Sequence, residues 1–288
     1  MRVLVTGAAG FVGGRLVPAL DAAGHEVYAL DRDAARVADL PAVAVEHDLT
    51  TPIEPGTLPP VDAVVHLAQA NVPLPEGAPS LLRVNAASTV DLLDHCRRSS
   101  AERFVYASTA SVYGPGERPF PEDAPLAGSD LYAVTKIAGE QLVGCYREQF
   151  DTCILRLVAP YGPGQQARMI PRLIERVRDG EPVSLSPGGR PRMNPIHVDD
   201  AVRVLAAALE LEGHHVLNVA GDEVVSIREL AELIGEAVGR DPVFEEASSG
   251  APGDFVADTT RLHELFSIRP LIPLRDGLRE AAMRYHSA

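Results

Sequence analysis

The sequence predicts an α/β fold with a doubly wound parallel sheet, and three observations support this prediction. Short apolar strands alternate with helical patterns up to residue 158, which is typical of a parallel sheet covered by helices. A glycine-rich turn joins the first strand, Arg2–Thr6, to a helix that ends near Ala23. The alternation loosens after residue 158, so we expect a smaller, mostly C-terminal second domain.

The element boundaries follow from apolar periodicity and from turn residues. The predicted strands after the first are Glu26–Leu30, Ala42–Glu46, Asp62–Ala68, Arg103–Ala107, Thr152–Val158 and Val216–Ala220. The predicted helices after the first are Ser80–Arg98, Asp130–Gln149, Gln165–Asp179, Pro195–Glu212, Thr259–Phe266 and Leu274–Arg284, together with one that Ser226 and Glu229 begin as a capping box. Residues 1–158 and about 194–220 are expected to form the Rossmann-type domain, and about 159–193 and 221–288 the second domain, which would bind the substrate.

Composition excludes several classes of protein. The net charge of −14 disfavours nucleic acid and anionic membrane as partners, and no apolar run has the length of a membrane span. The three cysteines show neither CxxC spacing nor even pairing and the histidines are scattered, so we expect no metal and no disulfide. A strand begins at the first residues, which predicts a chain without a signal peptide in the cytoplasm.

The turn after the first strand has the pattern of a dinucleotide site. Gly7, Gly10 and Gly13 recur at every third position between strand and helix, which permits a tight turn and directs helix N-terminal amides at a pyrophosphate. Phe11 and Val12 lie within the same turn and are expected to contact the cofactor with it.

Asp31 ends the second strand and predicts the type of cofactor. An acidic residue there hydrogen-bonds the adenosine ribose of NAD and repels the 2′-phosphate of NADP. Arg32 follows directly and would accept that phosphate, so NADP stays open as the less favoured alternative.

Further candidate residues follow the next strands, because ligands collect at the carboxyl ends of parallel strands. Those expected to line the cofactor are Asp48, Leu49, Leu67, Ala68, Ala107 and Ser108. Each of them also has an ordinary interpretation as a strand end. Hydroxyl groups cluster after the fifth strand, where Thr109 and Ser111 join Ser108 near the expected nicotinamide position.

Tyr132 and Lys136 form the most informative pair. Lys136 is the only lysine in the chain, and a spacing of four puts both side chains on one helix face. A compact ammonium binds ribose hydroxyls and stabilises a nearby phenolate, which a guanidinium does less well. The alternative is a chance YxxxK on a solvated helix, which the uniqueness of the lysine disfavours.

Arginines concentrate between Arg156 and Arg192 although the chain as a whole is acidic. Arg168 and Arg192 are the best candidates to hold an anionic ligand such as a diphosphate. The alternative is a helix whose arginines are simply solvated.

Taken together, these residues resemble the extended short-chain dehydrogenase/reductase family, in its NAD-dependent epimerase/dehydratase group. The resemblance extends over nearly the whole chain. Besides the glycines, Asp31 and the Tyr132/Lys136 pair, it depends on Asp48-Leu49, His66-Leu67-Ala68, Asn85, Ser108-Thr109, Val112-Tyr113-Gly114, Arg156, Tyr161-Gly162-Pro163-Gly164 and Ile196-His197-Val198-Asp199-Asp200.

The resemblance implies roles for these residues. Tyr132 is the acid/base, Lys136 holds the nicotinamide ribose, Thr109 hydrogen-bonds the reacting hydroxyl, and Asn85 belongs to the cofactor site. The substrate site would comprise Thr109, Ser111, Tyr132, Arg168 and Arg192. A homodimer is implied through the helices that begin near Ser80 and Asp130, where Val90, Leu93, Ile137 and Leu142 are either interface or monomer core.

Departures from the family pattern narrow the expected activity. Nucleotide-sugar 4,6-dehydratases carry an Asp-Glu pair where this chain has Ala110 and Ser111, which disfavours dehydration. Epimerases that resemble UDP-galactose 4-epimerase carry an asparagine where Ala159-Pro160 stands, and the segment from Arg192 to His197 is one residue longer than usual.

We therefore expect an NAD-dependent nucleotide-sugar epimerase, acting at C4 through a transient ketone. The alternative is a ketoreductase or dehydrogenase that acts on a sugar or another secondary alcohol with NAD or NADP. A non-catalytic dinucleotide-binding protein is the third hypothesis, and the retained Tyr132 and Lys136 argue against it.

Overall fold

The main sheet has seven strands in the order expected of a doubly wound fold. The computed structural model describes residues 1–70, 72, 75–247 and 253–283. In chain order the described strands are β1 (Arg2–Thr6), β2 (Glu26–Asp31), β3 (Val43–Glu46), β4 (Ala63–His66), β5 (Arg103–Thr109), β6 (Asp151–Leu157), β7 (Val183–Leu185), β8 (Arg192–Met193), β9 (His214–Val219), β10 (Val225–Ser226) and β11 (Phe244–Glu246). The main sheet runs β3-β2-β1-β4-β5-β6-β9. The predicted fold class, a Rossmann-type α/β sheet, is confirmed.

Helices connect most of these strands. The described α-helices are α1 (Gly13–Ala22), α2 (Ala78–Leu82), α3 (Ser88–Ser99), α4 (Leu131–Gly144), α5 (Met169–Asp179), α6 (Val198–Ala207), α7 (Ile227–Val238), α8 (Thr260–Leu265) and α9 (Leu274–Met283). The predicted helix 80–98 is interrupted, because a π-helical segment, Arg83–Ala87, lies between α2 and α3. The predicted helix 130–149 begins as expected, with Asp130 as its N-cap, but it ends at Gly144, a residue of low helix propensity.

The strand order reverses at β1, which positions the candidate site. β1 pairs in parallel with β2 on one side and with β4 on the other. The connections that leave the carboxyl ends of β1 and β4 therefore diverge and open a crevice for ligands. Thr6 is in register with His66, so the glycine turn after β1 and the loop after β4 start side by side.

The chain divides into two compact units. The first comprises Met1–Val112, Leu126–Arg156 and Val202–Leu217, and the second Tyr113–Pro125, Leu157–Ala201 and Asn218–Ala288. The unit boundaries differ from the expected domains, since 113–125 and 194–201 belong to the second unit. The assignment of cofactor and substrate to the two domains stays a prediction.

Each unit has its own apolar core. In the first unit the core includes Leu4, Leu30, Leu92 and Phe104, all fully buried. Leu93 lies in the same core, whereas Val90 is exposed, so of these two predicted dimer positions only Val90 is available to a partner. The homodimer stays a prediction.

The second unit packs α5, α7 and α9 around a separate core. β10 pairs antiparallel with β8, and β11 pairs parallel with β7. The predicted capping box is present, because the Ser226 hydroxyl accepts from the Glu229 N–H while the Glu229 carboxylate accepts from the Ser226 N–H. Among the described residues, no helix combines the length and the apolarity that a membrane crossing requires.

Candidate active site

The turn after β1 is packed closely against the loop after β4. Gly7 has a φ of +67°, which favours glycine because it has no Cβ. An added Cβ would lie 2.9 Å from the Ala68 nitrogen. A Cβ on Gly13 would collide with the Gly7 carbonyl oxygen, which accepts from the Gly10 N–H at 2.9 Å. The turn between β1 and α1 is therefore tight, and such a turn allows a pyrophosphate to approach the N–H groups at the amino end of α1.

Asp31 at the end of β2 is buried and hydrogen-bonded to this turn. Its Oδ2 accepts from the Ala9 N–H at 3.2 Å, and its Oδ1 lies 3.3 Å from the Arg36 guanidinium. Arg32 is exposed. Arg36, which the sequence did not indicate, is therefore the cation beside Asp31.

The other predicted cofactor residues of this region differ in exposure. The Leu49 side chain lies in the core of the first unit, whereas Asp48 is exposed. The hydrogen bond from the Thr50 N–H, together with the charge of Arg32, lowers the pKa of Asp48. The half-buried members are Phe11, Val12 and Leu67. The contacts of all five with a cofactor stay predictions.

The loop after β4 is hydrogen-bonded to β1 at its start. The Thr6 hydroxyl accepts from the Ala68 N–H at 3.1 Å and lies 2.7 Å from His66 Nδ1. Burial, with a contribution from the charge of Lys136, lowers the pKa of His66 to about 3. His66 is therefore neutral near pH 7, because that pH lies well above its pKa.

Asn85 fixes the end of the same loop. Its Oδ1 accepts from the Ala70 N–H at 2.7 Å, and its Nδ2 donates to the Ala70 carbonyl and to the Thr135 hydroxyl at 3.0 and 3.1 Å. Both amide hydrogens are thus used within the protein, since an amide has only two. The structure gives Asn85 a positioning role between this loop and α4, and its direct contact with a cofactor stays a prediction.

The hydroxyl cluster after β5 lies beside the start of α4. Ser111 N–H donates to the Thr109 hydroxyl, which lies 3.2 Å from the Ser111 hydroxyl. The Val112 carbonyl accepts from the N–H groups of Ala127 and Gly128 at 2.9 Å each. The chain therefore enters α4 against the residues that follow β5, which brings Thr109 to the same end of the sheet as Tyr132.

Tyr132 and Lys136 lie on one helix face, as predicted. Asp130 caps α4 by accepting from the Ala133 N–H at 2.8 Å. The Lys136 ammonium is 4.4 Å from the ring centre of Tyr106. Burial raises the pKa of Tyr106, with contributions from the charges of Glu140 and Tyr132, so Tyr106 lies near both members of the pair.

The Lys136 ammonium is buried, and the part of the chain that the structure describes gives it no anionic partner. Its side chain is 1% exposed. Within the described residues its ammonium makes no hydrogen bond or ion pair, and the Tyr106 ring is its one polar contact. Burial lowers the pKa of Lys136 from 10.5 to about 7, while the charge of Glu140 opposes this shift. A buried donor without an acceptor is costly, and the hydroxyls of a ribose would supply acceptors.

One helical turn beyond Lys136, the buried carboxylate of Glu140 is fully paired. It lies 2.7 Å from the Arg156 guanidinium, which also donates from Nε, and it accepts from the Ser108 hydroxyl at 2.5 Å. The predicted cofactor residue Ser108 thus has its hydroxyl directed at Glu140, and the neighbouring Ala107 is buried in β5.

Sequence reasoning missed a contact of the Tyr132 hydroxyl. That hydroxyl donates to the side-chain oxygen of Gln69 at 2.6 Å. Gln69 follows the His66-Leu67-Ala68 segment directly, so its place at a strand end was a signal that could have identified it.

The two predicted diphosphate ligands belong to the second unit. Arg168 is exposed at the N-cap position of α5. Arg192 donates from its Nε to the buried carboxylate of Asp254 at 2.8 Å, and its own N–H donates to the other oxygen. The structure therefore gives Arg192 an anionic partner within the protein. Binding of a diphosphate by either arginine stays a prediction.

The glycine turn, the acidic end of β2 and the Tyr132/Lys136 pair are the features expected of a dinucleotide-binding α/β protein, and the acid/base role of Tyr132 stays a prediction. The sequence model of the NAD dependent epimerase/dehydratase family matches residues 3–220, and the chain belongs to this family. The resemblance inferred from the sequence is confirmed, and so is NAD as the cofactor of the family.

Relatives of the chain catalyse different reactions. It is 33% identical to dTDP-4-dehydro-6-deoxy-D-allose reductase of Streptomyces bikiniensis, over 99% of this chain and 97% of that protein. It is 32% identical to dTDP-glucose 4,6-dehydratase of Streptomyces griseus, over 99% and 94%. A crystal structure of UDP-glucuronic acid 4-epimerase from Bacillus cereus with NAD matches with a TM-score of 0.88 and 27% identity, over 100% and 99%. A reductase, a dehydratase and an epimerase are thus all similar to this chain over nearly its whole length.

Proposed function

We propose that this chain is an NAD-dependent nucleotide-sugar epimerase that inverts one carbinol centre, C4 of the sugar, through a transient ketone. The observation that carries the proposal is the buried Lys136 ammonium, which has no anionic partner among the described residues and lies on the same helix face as Tyr132. A buried charge without a partner is unfavourable in the protein alone, and a bound nicotinamide ribose would supply its missing acceptors.

The cofactor would be held by the glycine turn at its pyrophosphate, by Asp31 at its adenosine ribose and by Lys136 at its nicotinamide ribose. When bound there, NAD would take a hydride from the carbinol carbon and return it. Tyr132 takes the carbinol proton during oxidation and gives it back during reduction, while Thr109 hydrogen-bonds the same oxygen. Inversion requires the ketone to present its opposite face before reduction.

Tyr132 needs its neighbour to act as a base. A free tyrosine has a pKa of about 10, and a general base is most effective when its pKa is near the working pH. A cationic ammonium four residues along one helix face favours the phenolate. Acceptors that a ribose supplies to Lys136 also favour its charged form, so cofactor binding and phenolate formation support each other.

Dehydration is disfavoured by the residues after Thr109. Ala110 is buried and apolar, and Ser111 carries a hydroxyl that lies 3.2 Å from Thr109. Neither supplies the carboxyl group that the dehydratase pattern carries at this place. We therefore infer that this chain does not share the elimination step of the 4,6-dehydratase relative at 32% identity.

Reduction of a keto sugar is the second candidate function. A reductase is among the relatives, at 33% identity, and the same Thr109, Tyr132 and Lys136 would deliver a proton to the ketone oxygen. The reductase would exchange its nicotinamide cofactor at each turnover, whereas the epimerase would retain it. For the epimerase, the solved UDP-glucuronic acid 4-epimerase supports a nucleoside-diphosphate sugar, whose diphosphate Arg168 and Arg192 would contact.

The test is conversion of nucleotide sugars by the purified protein without added cofactor. We expect NAD to be released on denaturation and the C4 epimer to form with no net change in nicotinamide absorbance. Tyr132→Phe should abolish turnover and retain NAD, whereas Tyr146→Phe, beyond the other end of α4, should leave turnover unchanged. Activity that depends on stoichiometric NADH or NADPH would establish the reductase instead, and full activity in Tyr132→Phe would refute the assigned role.

A further inference from the structure

The loop after β4 delivers an amide to the hydroxyl of Tyr132. The Tyr132 hydroxyl donates to Gln69 Oε1 at 2.6 Å, although the two residues are 63 positions apart in the chain. The next residue, Ala70, has both its N–H and its carbonyl bound by the Asn85 side chain, at 2.7 and 3.0 Å. Gln69 is therefore held against the phenol by a fixed backbone.

A glutamine amide can serve both protonation states of the phenol. Its oxygen accepts from a neutral hydroxyl, and its Nε2 offers two hydrogens to a phenolate. Nε2 has no partner within the described residues, and exchanging the two ends requires only rotation about a broad, roughly two-fold torsion. A carboxylate could only accept, and an aliphatic side chain could do neither.

We propose that Gln69 is a positioning residue for Tyr132 that supports the phenol through both half-reactions, by accepting from its hydroxyl and then, after amide rotation, donating to the phenolate. The inference rests on the proposed acid/base role of Tyr132. In the oxidation half, the carbinol proton passes to Tyr132 Oη. The Gln69 amide then rotates, so that Oε1, which accepts from the new hydroxyl, replaces Nε2, which donated to the phenolate. In the reduction half, the same proton returns and the amide rotates back.

Other charged or titratable groups also surround the phenol and must be kept constant. On α4 these are Lys136, which favours the phenolate, and Glu140, whose charge is paired with Arg156. On β5, Tyr106 is near Glu140 and Tyr132, whose charges raise its pKa. On β4, His66 is neutral near pH 7 because its pKa is about 3. None of them is altered by a substitution at Gln69.

The experiment is a pH titration of Tyr132 in the NAD-loaded protein, read as phenolate absorbance after subtraction of the Tyr132→Phe protein. Gln69→Glu has nearly the same shape, accepts only and adds a negative charge, so we expect the pKa of Tyr132 to rise by at least about one pH unit. Gln69→Leu removes both bonds and should give a smaller rise, because the neutral phenol loses its acceptor and this partly offsets the loss of the donor to the phenolate. Gln149→Glu, in the turn before β6, adds the same charge at the opposite edge of the sheet and should have no effect.

The expected order of Tyr132 pKa values is therefore wild type, then Gln69→Leu, then Gln69→Glu. The alkaline shift should also appear in the acidic-limb midpoint of kcat. An unchanged Tyr132 titration in Gln69→Glu would overturn the inference, as would an equal shift in Gln149→Glu. The titration is separate from turnover, so failure of the epimerase assay would refute the proposed function and leave this measurement decisive on its own.

Discussion

Two buried cations of the first unit, Lys136 on α4 and Arg156 on β6, are held in opposite ways. Arg156 is 4% exposed and pairs with the equally buried Glu140, which also accepts from Ser108. Lys136 is 1% exposed and has the Tyr106 ring as its polar contact among the described residues. Both charges lose their hydration on folding. The difference means that Arg156 is neutralised within the protein, whereas we propose that Lys136 gains its acceptors from a bound ligand.

Removal of Arg156 should break its ion pair with Glu140 and give the largest change in stability. Arg156→Met leaves Glu140 buried without its cation, and breaking a buried pair in this way costs about 3–5 kcal/mol. We expect the free energy of unfolding in urea to fall by this amount, whereas Arg147→Met, an exposed residue, should change it by less than about 0.5 kcal/mol. Substituting Glu140→Leu together with Arg156→Met should recover most of the loss, because neither member of the pair is left as an unpaired charge.

Removal of the Lys136 charge should instead raise the free energy of unfolding of the cofactor-free protein. Its pKa falls from 10.5 to about 7 on burial, and one pKa unit corresponds to about 1.4 kcal/mol. Lys136→Met also loses the contact with the Tyr106 ring, so we expect a net gain of roughly 2–4 kcal/mol at pH 7. The same variant should lose turnover.

The gain should depend on pH in a defined direction. Between pH 7 and 10.5 the unfolded chain binds the Lys136 proton and the folded chain does not, so the stability of the wild type rises with pH through this window. The advantage of Lys136→Met, measured by urea unfolding of cofactor-free protein at both ends of the window, should therefore shrink as pH rises. A constant difference would show that the ammonium has a partner in the folded protein.

Asp31 is an intermediate case, because it has one backbone donor and one half-exposed arginine. Asp31→Ser removes the charge that repels a 2′-phosphate and frees Arg36 to bind it. We expect affinity for NADP relative to NAD to rise by roughly tenfold, or ~1.4 kcal/mol, in calorimetric titrations of protein stripped of cofactor. Asp33→Ser, two residues on and exposed, is the control. Equal preference in both variants would exclude Asp31 as the selecting group.

The smallest expected effect is at a contact with no buried charge. Ser226→Ala removes the hydroxyl of the capping box, which typically costs about 1 kcal/mol. Thermal or urea unfolding should show this loss, and Ser184→Ala, on the exposed side of β7, should show less. A loss as large as that of Arg156→Met would erase the distinction between capping and charge burial.

Local patterns predicted several short segments of the structure. The glycine turn, the capping box at Ser226 and the shared face of Tyr132 and Lys136 each follow from residues within one short segment, where backbone geometry alone fixes the neighbours. The helix that begins at Asp130 was predicted for the same reason.

Contacts between residues that are distant in the chain could not be predicted from the sequence. Gln69 meets Tyr132 across 63 positions, and Asp254 meets Arg192 across 62, and both contacts depend on how distant elements pack. The sequence indicated Arg192 as a ligand for an anion but did not indicate its buried partner Asp254. The sequence likewise did not indicate that the Leu49 side chain lies in the core, and its contact with a cofactor stays a prediction.

The Asn85 side chain hydrogen-bonds both the N–H and the carbonyl of Ala70. This has a consequence for how the residues around Tyr132 can change during evolution. The segment between His66 and Ala70 is anchored at each end, so its length decides which side chain faces the phenol. One inserted or deleted residue there would exchange that side chain without touching any catalytic group. The number of residues between His66 and Ala70, more than the identity of each, is therefore expected to decide which side chain meets Tyr132.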